Sequence, residues 1–230
     1  GSRVAIDFGD CGGALSGKLL PTGSARDVLR LGGRDVEVSL VDAATPFVFV
    51  AARDVGASGT ESPAEISGNL SLMSALESVR GWAAVQLGLV DDPAKAHIVT
   101  PNVPRVIMVA PPQAYKTANG AVRAEEVDLC VRQLAMQKPH TTLAVTGSVC
   151  TAVAANVPGS VVAEWARSTE GCIRLGHPAG ILPVSSVLAS DNGELRVVSA
   201  AVERTARLIM AGEVYVPFER VAYLKTILEA

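Results

Sequence analysis

The chain has 230 residues and a formal net charge of −3, with acidic and basic residues scattered along its length. This balance excludes the clustered basic surface of a nucleic-acid-binding protein, and no apolar run reaches the roughly 18 residues of a membrane span. Aromatic residues make up only 4% of a chain that is 49% hydrophobic, so Val, Ala and Leu must fill the core of one large domain or two small ones.

The cysteines and histidines lack the short spacing that a zinc site needs. They are Cys11, Cys130, Cys150, Cys172, His97, His140 and His177. The sequence therefore predicts no metal site, and dispersed thiols of this kind are typical of a reduced, cytoplasmic protein. The N-terminal Gly1-Ser2 shows no secretory pattern and is typical of a cleaved expression tag.

The first part of the chain predicts an irregular segment followed by two strands. Residues 10–24 are rich in Gly and Ser and contain one basic residue, Lys18. This composition favours a linker, the alternative being a backbone that approaches a ligand. Residues 36–41 and 47–51 are apolar and predict two consecutive strands with a turn at Thr45-Pro46 between them.

Two helices and a strand are predicted in the middle of the chain. A capping hydroxyl at Ser62, a proline after it and Glu65 mark a helix start, and apolar residues then recur at helical spacing from 70 to 88. Residues 105–110, RVIMVA, form a continuous apolar run that predicts a buried strand. The second helix is predicted over 124–136.

The last part of the chain predicts a meander of strands. Short Val, Ile and Leu runs extend from residue 161 to 216 and end with EVYVP at 213–217. Turns interrupt them at Gly-His-Pro-Ala-Gly, where His177 fits a corner, and at Asp-Asn-Gly, 191–193. Residues 218–230 are predicted to form a short helix. This order of elements predicts an α+β fold.

The stretch AVTGSVCTAVAA, residues 144–155, carries the main functional question. Thr146-Gly147-Ser148 lies between a predicted strand at 141–145 and a short helix, and a helix N-terminus favours a bound anion. The alternative is an ordinary cap by the Thr146 or Ser148 hydroxyl. Cys150 would lie inside the helix, where a buried thiol is favoured over a reactive one.

Five stretches of the sequence resemble one family. They are GALSGKLLPTG (13–23), VEVSLVDAATPFVFVAARDVGASGTE (36–61), MQKPHTTLAVTGSVCTAVAANVPGSVV (136–162), LGHPAG (175–180) and AVERTARLIMAGEVYVP (201–217). In this order they are similar to the C-terminal part of the methylaconitate isomerase / 4-oxalomesaconate tautomerase family, which shares the fold of diaminopimelate epimerase and proline racemase. The resemblance implies a diaminopimelate epimerase-like lobe, with a barrel-like, mostly antiparallel sheet wrapped around a central helix.

The resemblance also implies a domain organisation. Residues 1–24 would be an interlobe segment, 25–217 the C-terminal lobe and 218–230 a tail. Isomerases of this kind keep their acid and base, one cysteine and one lysine, in the N-terminal lobe. That lobe carries a Met-Arg-Gly-Gly-type opening and a Gly-Asn-Cys-Gly-Asn motif, and neither occurs in this sequence. We therefore expect the N-terminal catalytic lobe to be absent and assign no catalytic residue to this chain.

Part of a substrate site is implied as well. The epimerases grip the substrate through the Asn of a Gly-Asn-Pro turn, and that position is Thr45 here. A second substrate-contacting position falls on Arg105, and an acidic-basic pair ahead of the central helix falls on Gln137 and Lys138. Arg105 and Lys138 suit a di- or tricarboxylate without an amino group, because each adds a charge-assisted contact.

The remaining candidates surround the central helix. The cysteine that the epimerases place at the start of this helix falls on Thr146 rather than Cys150. Lys18 and His140 are further candidates, the alternatives being a solvated surface charge and a capping imidazole. The substrate-binding residues predicted are Lys18, Thr45, Arg105, Lys138, His140, Thr146, Gly147 and Ser148.

The function implied is a cofactor-independent 1,3-proton shift on an unsaturated di- or tricarboxylate such as methylaconitate or 4-oxalomesaconate. This isomerase or tautomerase would need no metal, nucleotide or redox cofactor, and its partners would be a small carboxylate and the N-terminal lobe, with homodimer formation left open. The alternative is a catalytically inactive single-lobe module that binds carboxylates or another protein. A weaker alternative is catalysis by this lobe alone, through Lys138 or His140.

Overall fold

The computed structural model describes residues 1–118, 120–167, 171–191 and 193–217. Its strands are β1 (Ser2–Asp7), β2 (Asp27–Leu31), β3 (Arg34–Ala43), β4 (Thr45–Ala51), β5 (Arg105–Ala110), β6 (Tyr115–Thr117), β7 (Gly120–Val122), β8 (Leu129–Ala135), β9 (Lys138–Pro139), β10 (Ile173–His177), β11 (Gly180–Asp191) and β12 (Glu194–Ala206). Its α-helices are α1 (Pro63–Gly68), α2 (Leu70–Gln86), α3 (Ala96–Val99), α4 (Val145–Ala155) and α5 (Val161–Trp165). The predicted α+β class is confirmed.

One large sheet organises the chain. Its strand order is β1-β12-β11-β10-β8-β5-β4-β3-β2, with β9 paired to β8, and β6 and β7 form a separate hairpin. Most neighbours whose direction is defined are antiparallel, while β4–β5 and β8–β10 are parallel. The mostly antiparallel sheet predicted from the family resemblance is therefore confirmed, and the parallel pair β4–β5 brings the first residues of two strands to one edge.

Two apolar clusters make up the core of the described residues. One is built around α4 and the strands that contact it, including Phe47, Ile107 and Leu175, and the other around α2. Every residue of α4 from Gly147 to Ala155 is buried, and α4 contacts β3, β4 and β11. Since Ala, Val, Gly, Ser and Thr dominate α4, the strands can approach its backbone closely, as a central helix requires.

The helix start predicted at Ser62 is confirmed. The Ser62 side chain accepts a hydrogen bond from Glu65 N, and the Glu65 carboxylate accepts one from Ser62 N. The helix ends after one and a half turns at Asn69, whose side chain accepts from Leu72 N and begins α2. The predicted single helix is therefore two, because Asn69 caps a new start.

Several predicted elements are wrong. Residues 124–136 contain strand β8 instead of a helix, because the run is buried on both faces and its apolar spacing fits both periods. Residues 141–145 are not a strand, since α4 already begins at Val145. Residues 161–165 form helix α5, started by the Ser160 side chain, which accepts from Ala163 N. The strand at 105–110 and the corner at Gly-His-Pro-Ala-Gly are confirmed.

The chain divides into two compact units. One comprises Gly1–Val4 and residues 204–230, and the other comprises Ala5–Glu203. In the first unit, residues 207–217 have no regular secondary structure, so the strand predicted at 213–217 is wrong. The boundaries expected at residues 24 and 217 remain predictions, and the helix expected at 218–230 lies outside the described residues. None of the described helices is long and apolar enough to cross a membrane.

An ion pair between buried Asp128 and partly exposed Arg174 joins β10 to the residue before β8. Arg174 donates from Nη2 to Asp128 Oδ1 at 2.7 Å and from Nε to Asp128 Oδ2 at 2.9 Å. Burial alone would raise the pKa of Asp128, but the hydrogen bonds from Arg174 outweigh it and lower the pKa. The pair therefore stabilises the fold when Asp128 is ionised.

Asp128→Asn should lower the free energy of unfolding by about 2 kcal/mol at neutral pH, measured by urea denaturation. Because the folded-state pKa is lowered, this contribution is present above the unfolded carboxyl pKa of about 4 and is lost as pH falls through the lower folded value. The difference from wild type should thus shrink below about pH 4. Asp35→Asn, in an exposed pair with Arg30, is the control and should cost less than ~1 kcal/mol. If the loss of stability in Asp128→Asn did not change with pH, Asp128 would not stabilise the fold through its ionised form.

Candidate active site at the edge of the sheet

Four predicted residues reach one edge of the sheet through the strand topology. β4 and β5 are parallel, with Phe47 opposite Arg105, so Thr45 and Arg105 lie at the same edge. β8 runs antiparallel to β5 and therefore ends there. A tight turn at Met136-Gln137, with φ of 51° and 55°, then returns the chain into β9 and places Lys138 at this edge. His140 follows β9, and its N–H donates to Gln133 O at 2.8 Å.

The N-terminus of α4 lies at the same place. Ala144, the N-cap, is extended with φ −64° and ψ 147°, and no side chain caps the helix. The first intrahelical bond runs from Ser148 N to Ala144 O at 2.8 Å. In the described part of the chain, the N–H groups of Val145, Thr146 and Gly147 therefore have no backbone partner, and the positive end of the helix favours an anion.

Thr146, Gly147 and Ser148 are thus part of the helix, and the expected loop or hydroxyl cap before it is wrong. Thr146 is half-buried in the first turn. Ser148 is fully buried and its hydroxyl donates to Val145 O at 2.8 Å. Since Ser148 N is bonded to Ala144 O, both donors of Ser148 are already used within the helix. The donors that remain are the backbone groups of Thr146 and Gly147.

Buried Gln133, which was not among the predicted site residues, fixes where α4 begins. Gln133 Oε1 accepts a hydrogen bond from Ala144 N at 3.1 Å. A Cβ on Gly147 would overlap that oxygen and lie 3.1 Å from Gln133 Cδ and 3.3 Å from Phe47 Cζ. Gln133 Nε2 is buried without a hydrogen-bond partner among the described residues. The one signal for Gln133 was a polar residue inside a buried apolar run.

The cationic and imidazole groups retain free donors. Arg105 is half-buried and uses Nε to donate to Asn102 O at 3.2 Å. Lys138 is exposed, and within the described ranges neither Arg105 nor Lys138 has a carboxylate within 4.0 Å. His140 Nδ1 accepts from Thr142 N at 3.1 Å, which leaves the proton on Nε2 as a donor. His140 therefore caps a turn and still offers an N–H.

The irregular segment that carries Lys18 also lies beside this edge. Ala44 N donates to Cys11 O at 2.8 Å, and Gly12 bridges to Ala43. Ala44 itself forms the β3–β4 turn with φ 59°, directly before Thr45. The segment is therefore irregular, as predicted, but it is bonded to the sheet rather than being a free linker. Lys18 is exposed, and the following residue, Leu19, accepts a hydrogen bond from Asp42 N at 2.9 Å through its carbonyl oxygen.

None of the thiols is prepared to act as a base. Cys150 is fully buried in α4 and its Sγ donates to Val41 O at 3.4 Å, so the buried, unreactive thiol expected there is confirmed. Burial raises the pKa of Cys150, and it raises that of Cys11, Cys130 and Cys172 as well. A thiol with a raised pKa holds its proton at neutral pH.

A concavity of about 560 Å³ lies away from this edge, between α2 and β2. Its lining includes Arg30, Glu77, Trp82 and His97. Two of its charged groups are already in ion pairs, Arg30 with Asp35 and Glu77 with Arg80. Among the residues described, no cluster of His, Cys, Asp or Glu could hold a metal ion. The edge near α4 is therefore the better candidate, because its donors are free.

The comparison with known families decides the classification. A family model described as PrpF protein matches residues 1–217. The chain belongs to the PrpF family. The 3-methylitaconate isomerase of Eubacterium barkeri is 40% identical over 215 residues, which are 92% of this chain and 56% of that protein. The 2-methyl-aconitate isomerase of Shewanella oneidensis is 35% identical over 207 residues, 87% of this chain and 51% of that protein.

Solved structures agree with this PrpF assignment. A crystal structure of methylitaconate-delta-isomerase superposes with a TM-score of 0.86 at 38% identity, over 96% of this chain and 57% of that one. The (4E)-oxalomesaconate Delta-isomerase of Novosphingobium is a further relative, 35% identical over 216 residues. The chain thus spans about half the length of the PrpF relatives it matches.

Gly147→Ala should test the contact at the start of α4. The added methyl group would force Gln133 away from Ala144 N, so we expect a loss of about 1–3 kcal/mol in the free energy of unfolding, measured by chemical denaturation. Gly68→Ala is the matched control, since a Cβ there meets nothing within 4 Å, and it should be neutral or slightly stabilising. Equal effects of the two variants would show that Gly147 is not constrained by Gln133.

Proposed function

We propose that this chain supplies the carboxylate-binding half of an isomerase that shifts a proton and a double bond in an unsaturated di- or tricarboxylate. The substrates would be of the methylitaconate, 2-methylaconitate or oxalomesaconate type, which the names of its PrpF relatives give. The observation that carries the proposal is the uncapped N-terminus of α4 at an edge that also gathers Arg105, Lys138 and His140.

The edge suits a substrate with two or three carboxylates. The α4 N–H groups of Thr146 and Gly147 would receive one carboxylate, while Arg105 and Lys138 would bind another through charge-assisted hydrogen bonds. The Nε2–H of His140 would add a neutral contact, whereas Thr45 would act through its place at the turn, because its hydroxyl already donates to Ala44 O at 2.7 Å. Ser148 would act through its place in the helix, because its hydroxyl is already bonded to Val145 O.

The same groups would stabilise the charge that develops during the reaction. Removal of a proton from the carbon next to the double bond gives an enolate-like dianion, and an acid returns a proton at the far carbon of the three-carbon unit. Fixed helix N–H groups and cations aimed at this charge lower the barrier without reorganising. These groups act on charge alone, so the proposal needs no cofactor in this chain.

The acid and base would come from the N-terminal lobe. All four thiols of this chain have raised pKa values, and the cysteine-bearing Gly-Asn-Cys-Gly-Asn motif is not in its sequence. A contact surface for that lobe is offered by the unit that contains residues 207–217. There, side chains that normally seek burial are more than four-fifths exposed: Leu208, Ile209, Met210, Val214 and Tyr215.

The chain should bind cis-aconitate without catalysing exchange of the ligand's carbon-bound protons for deuterium, measured by NMR in deuterated water. Chemical shifts of residues 145–149 should move on titration. Arg105→Gln and Lys138→Gln should each weaken binding about tenfold, since a charge-assisted hydrogen bond contributes about 1.5 kcal/mol. Lys116→Gln, in the separate β6–β7 hairpin, is the control and should leave affinity unchanged.

Two results of this experiment would overturn parts of the proposal. Deuterium uptake by cis-aconitate above that of a Lys138→Ala/His140→Ala double variant would place the acid and base in this lobe. Binding that is not followed by turnover when an N-terminal lobe is supplied would instead support the second candidate, an inactive carboxylate-binding module.

Restoration of turnover should need the exposed apolar side chains of 207–217. We expect turnover of 3-methylitaconate when the chain is co-expressed with the part of the Eubacterium barkeri isomerase that it does not cover, measured by NMR. Leu208→Asp/Met210→Asp should reduce co-purification of the two parts at least about tenfold, because a buried charge without a partner is costly. Leu70→Asp is the matched control, since Leu70 is 80% exposed at the start of α2. Equal losses for both variants would argue against this surface.

A further inference from the structure

A buried carboxylate lies one step from the β3–β4 turn and has no assigned role. Asp42, the second-last residue of β3, is fully buried. Its Oδ2 accepts hydrogen bonds from Leu15 N at 2.8 Å, from Ser16 N at 2.7 Å and from Ser16 Oγ at 2.9 Å. Its Oδ1 has no hydrogen-bond partner in the part of the chain that the structure describes. Burying a carboxylate that has one oxygen unpaired lowers the stability of the fold, so a role other than stability is expected.

Residues 13–19 form a loop that covers Asp42, and both ends of this loop are hydrogen-bonded to the Asp42 backbone. Gly13 N donates to Asp42 O at 2.7 Å, and Asp42 N donates to Leu19 O at 2.9 Å. The loop between them is closed by Gly17 N, which donates to Gly13 O at 3.0 Å. A Cβ on Gly13, whose φ is +71°, would lie 2.6 Å from Lys18 N, so Lys18 packs directly against this turn.

A short relay connects the Asp42 carboxylate to the Lys18 backbone. Ser16 Oγ lies 2.9 Å from Asp42 Oδ2 and 2.9 Å from Lys18 O, and it accepts from Lys18 N at 3.3 Å. The hydroxyl has one proton, which serves one of the two oxygens at a time. Lys18 is also the single basic residue in 10–24, and this relay contacts its backbone.

We propose that Asp42 is a positioning residue that, through Ser16, holds the Lys18 side chain at the substrate edge beside Thr45. This inference rests on the function proposed above and deepens it: Lys18 would bind the carboxylate farthest from α4, and Asp42 would set its place. Asp42 itself touches no substrate, because its carboxylate is covered by the loop. Without the Asp42 carboxylate, Lys18 remains in the sequence but loses its fixed position.

The test is a double-mutant cycle with cis-aconitate as the probe, followed by NMR titration of the full chain. Lys18→Ala and Asp42→Asn should each weaken binding about tenfold, and the double variant should be no weaker than Lys18→Ala alone. Ser16→Ala, at an exposed position, repeats the cycle without disturbing the core. Asp128→Asn, a buried carboxylate in a different ion pair, should leave affinity and its coupling to Lys18 unchanged.

Amide hydrogen exchange gives a second measurement that needs no ligand. Asp42→Asn and Ser16→Ala should speed exchange at Leu15 and Ser16, while Asp128→Asn should not. Unchanged exchange in the first two variants overturns the proposal whatever the affinity. Wild-type binding with additive losses for Asp42→Asn and Lys18→Ala overturns it as well. The wild-type chain could also fail to bind cis-aconitate while exchange is still faster in the variants. That result would contradict both the proposed function and the substrate role of Lys18, and only the contact between Asp42 and the loop would stand.

Discussion

The contact between Gly147 and the buried Gln133 amide sets the geometry on which the site depends. Gln133 Oε1 bonds to Ala144 N and leaves no room for a side chain at Gly147. The start of α4 is therefore fixed against β8, although no side chain caps it. An uncapped N-terminus held in this way keeps its N–H groups directed outward and free. The same contact that packs the core thus preserves the donors that an anion would use.

The topology of the sheet brings the other groups to that point. In a purely antiparallel meander, consecutive strands would start at opposite edges, but the parallel pair β4–β5 places Thr45 and Arg105 together. β8 is antiparallel to β5 and ends at the same edge, where the Met136-Gln137 turn delivers Lys138. Residues far apart in the chain therefore lie at one edge, although the connection from β4 to β5 runs through α1, α2 and α3.

The sequence predicts those parts of the fold that have a local cause. The cap at Ser62, the apolar run at 105–110 and the corner near His177 have chemical signals within a few residues, and the structure has all three. The sequence predicts a helix in place of β8, because burial on both faces removes the alternation of apolar and polar residues that identifies a strand. The start of α4 has no local signal either: no side chain caps it, and Gln133, eleven positions earlier, holds the N–H of the N-cap residue Ala144.

The charges and thiol pKa values of this chain suit substrate binding better than proton transfer, which supports the proposed function. The edge near α4 carries cations and helix N–H groups, which hold and stabilise an anion. Proton transfer next to a carboxylate needs a base that is unprotonated near neutral pH, yet burial raises the pKa of Cys150 and of the other three thiols. Under the proposed function, this chain would therefore bind the substrate and stabilise its charge, and the N-terminal lobe would supply the groups that transfer the proton.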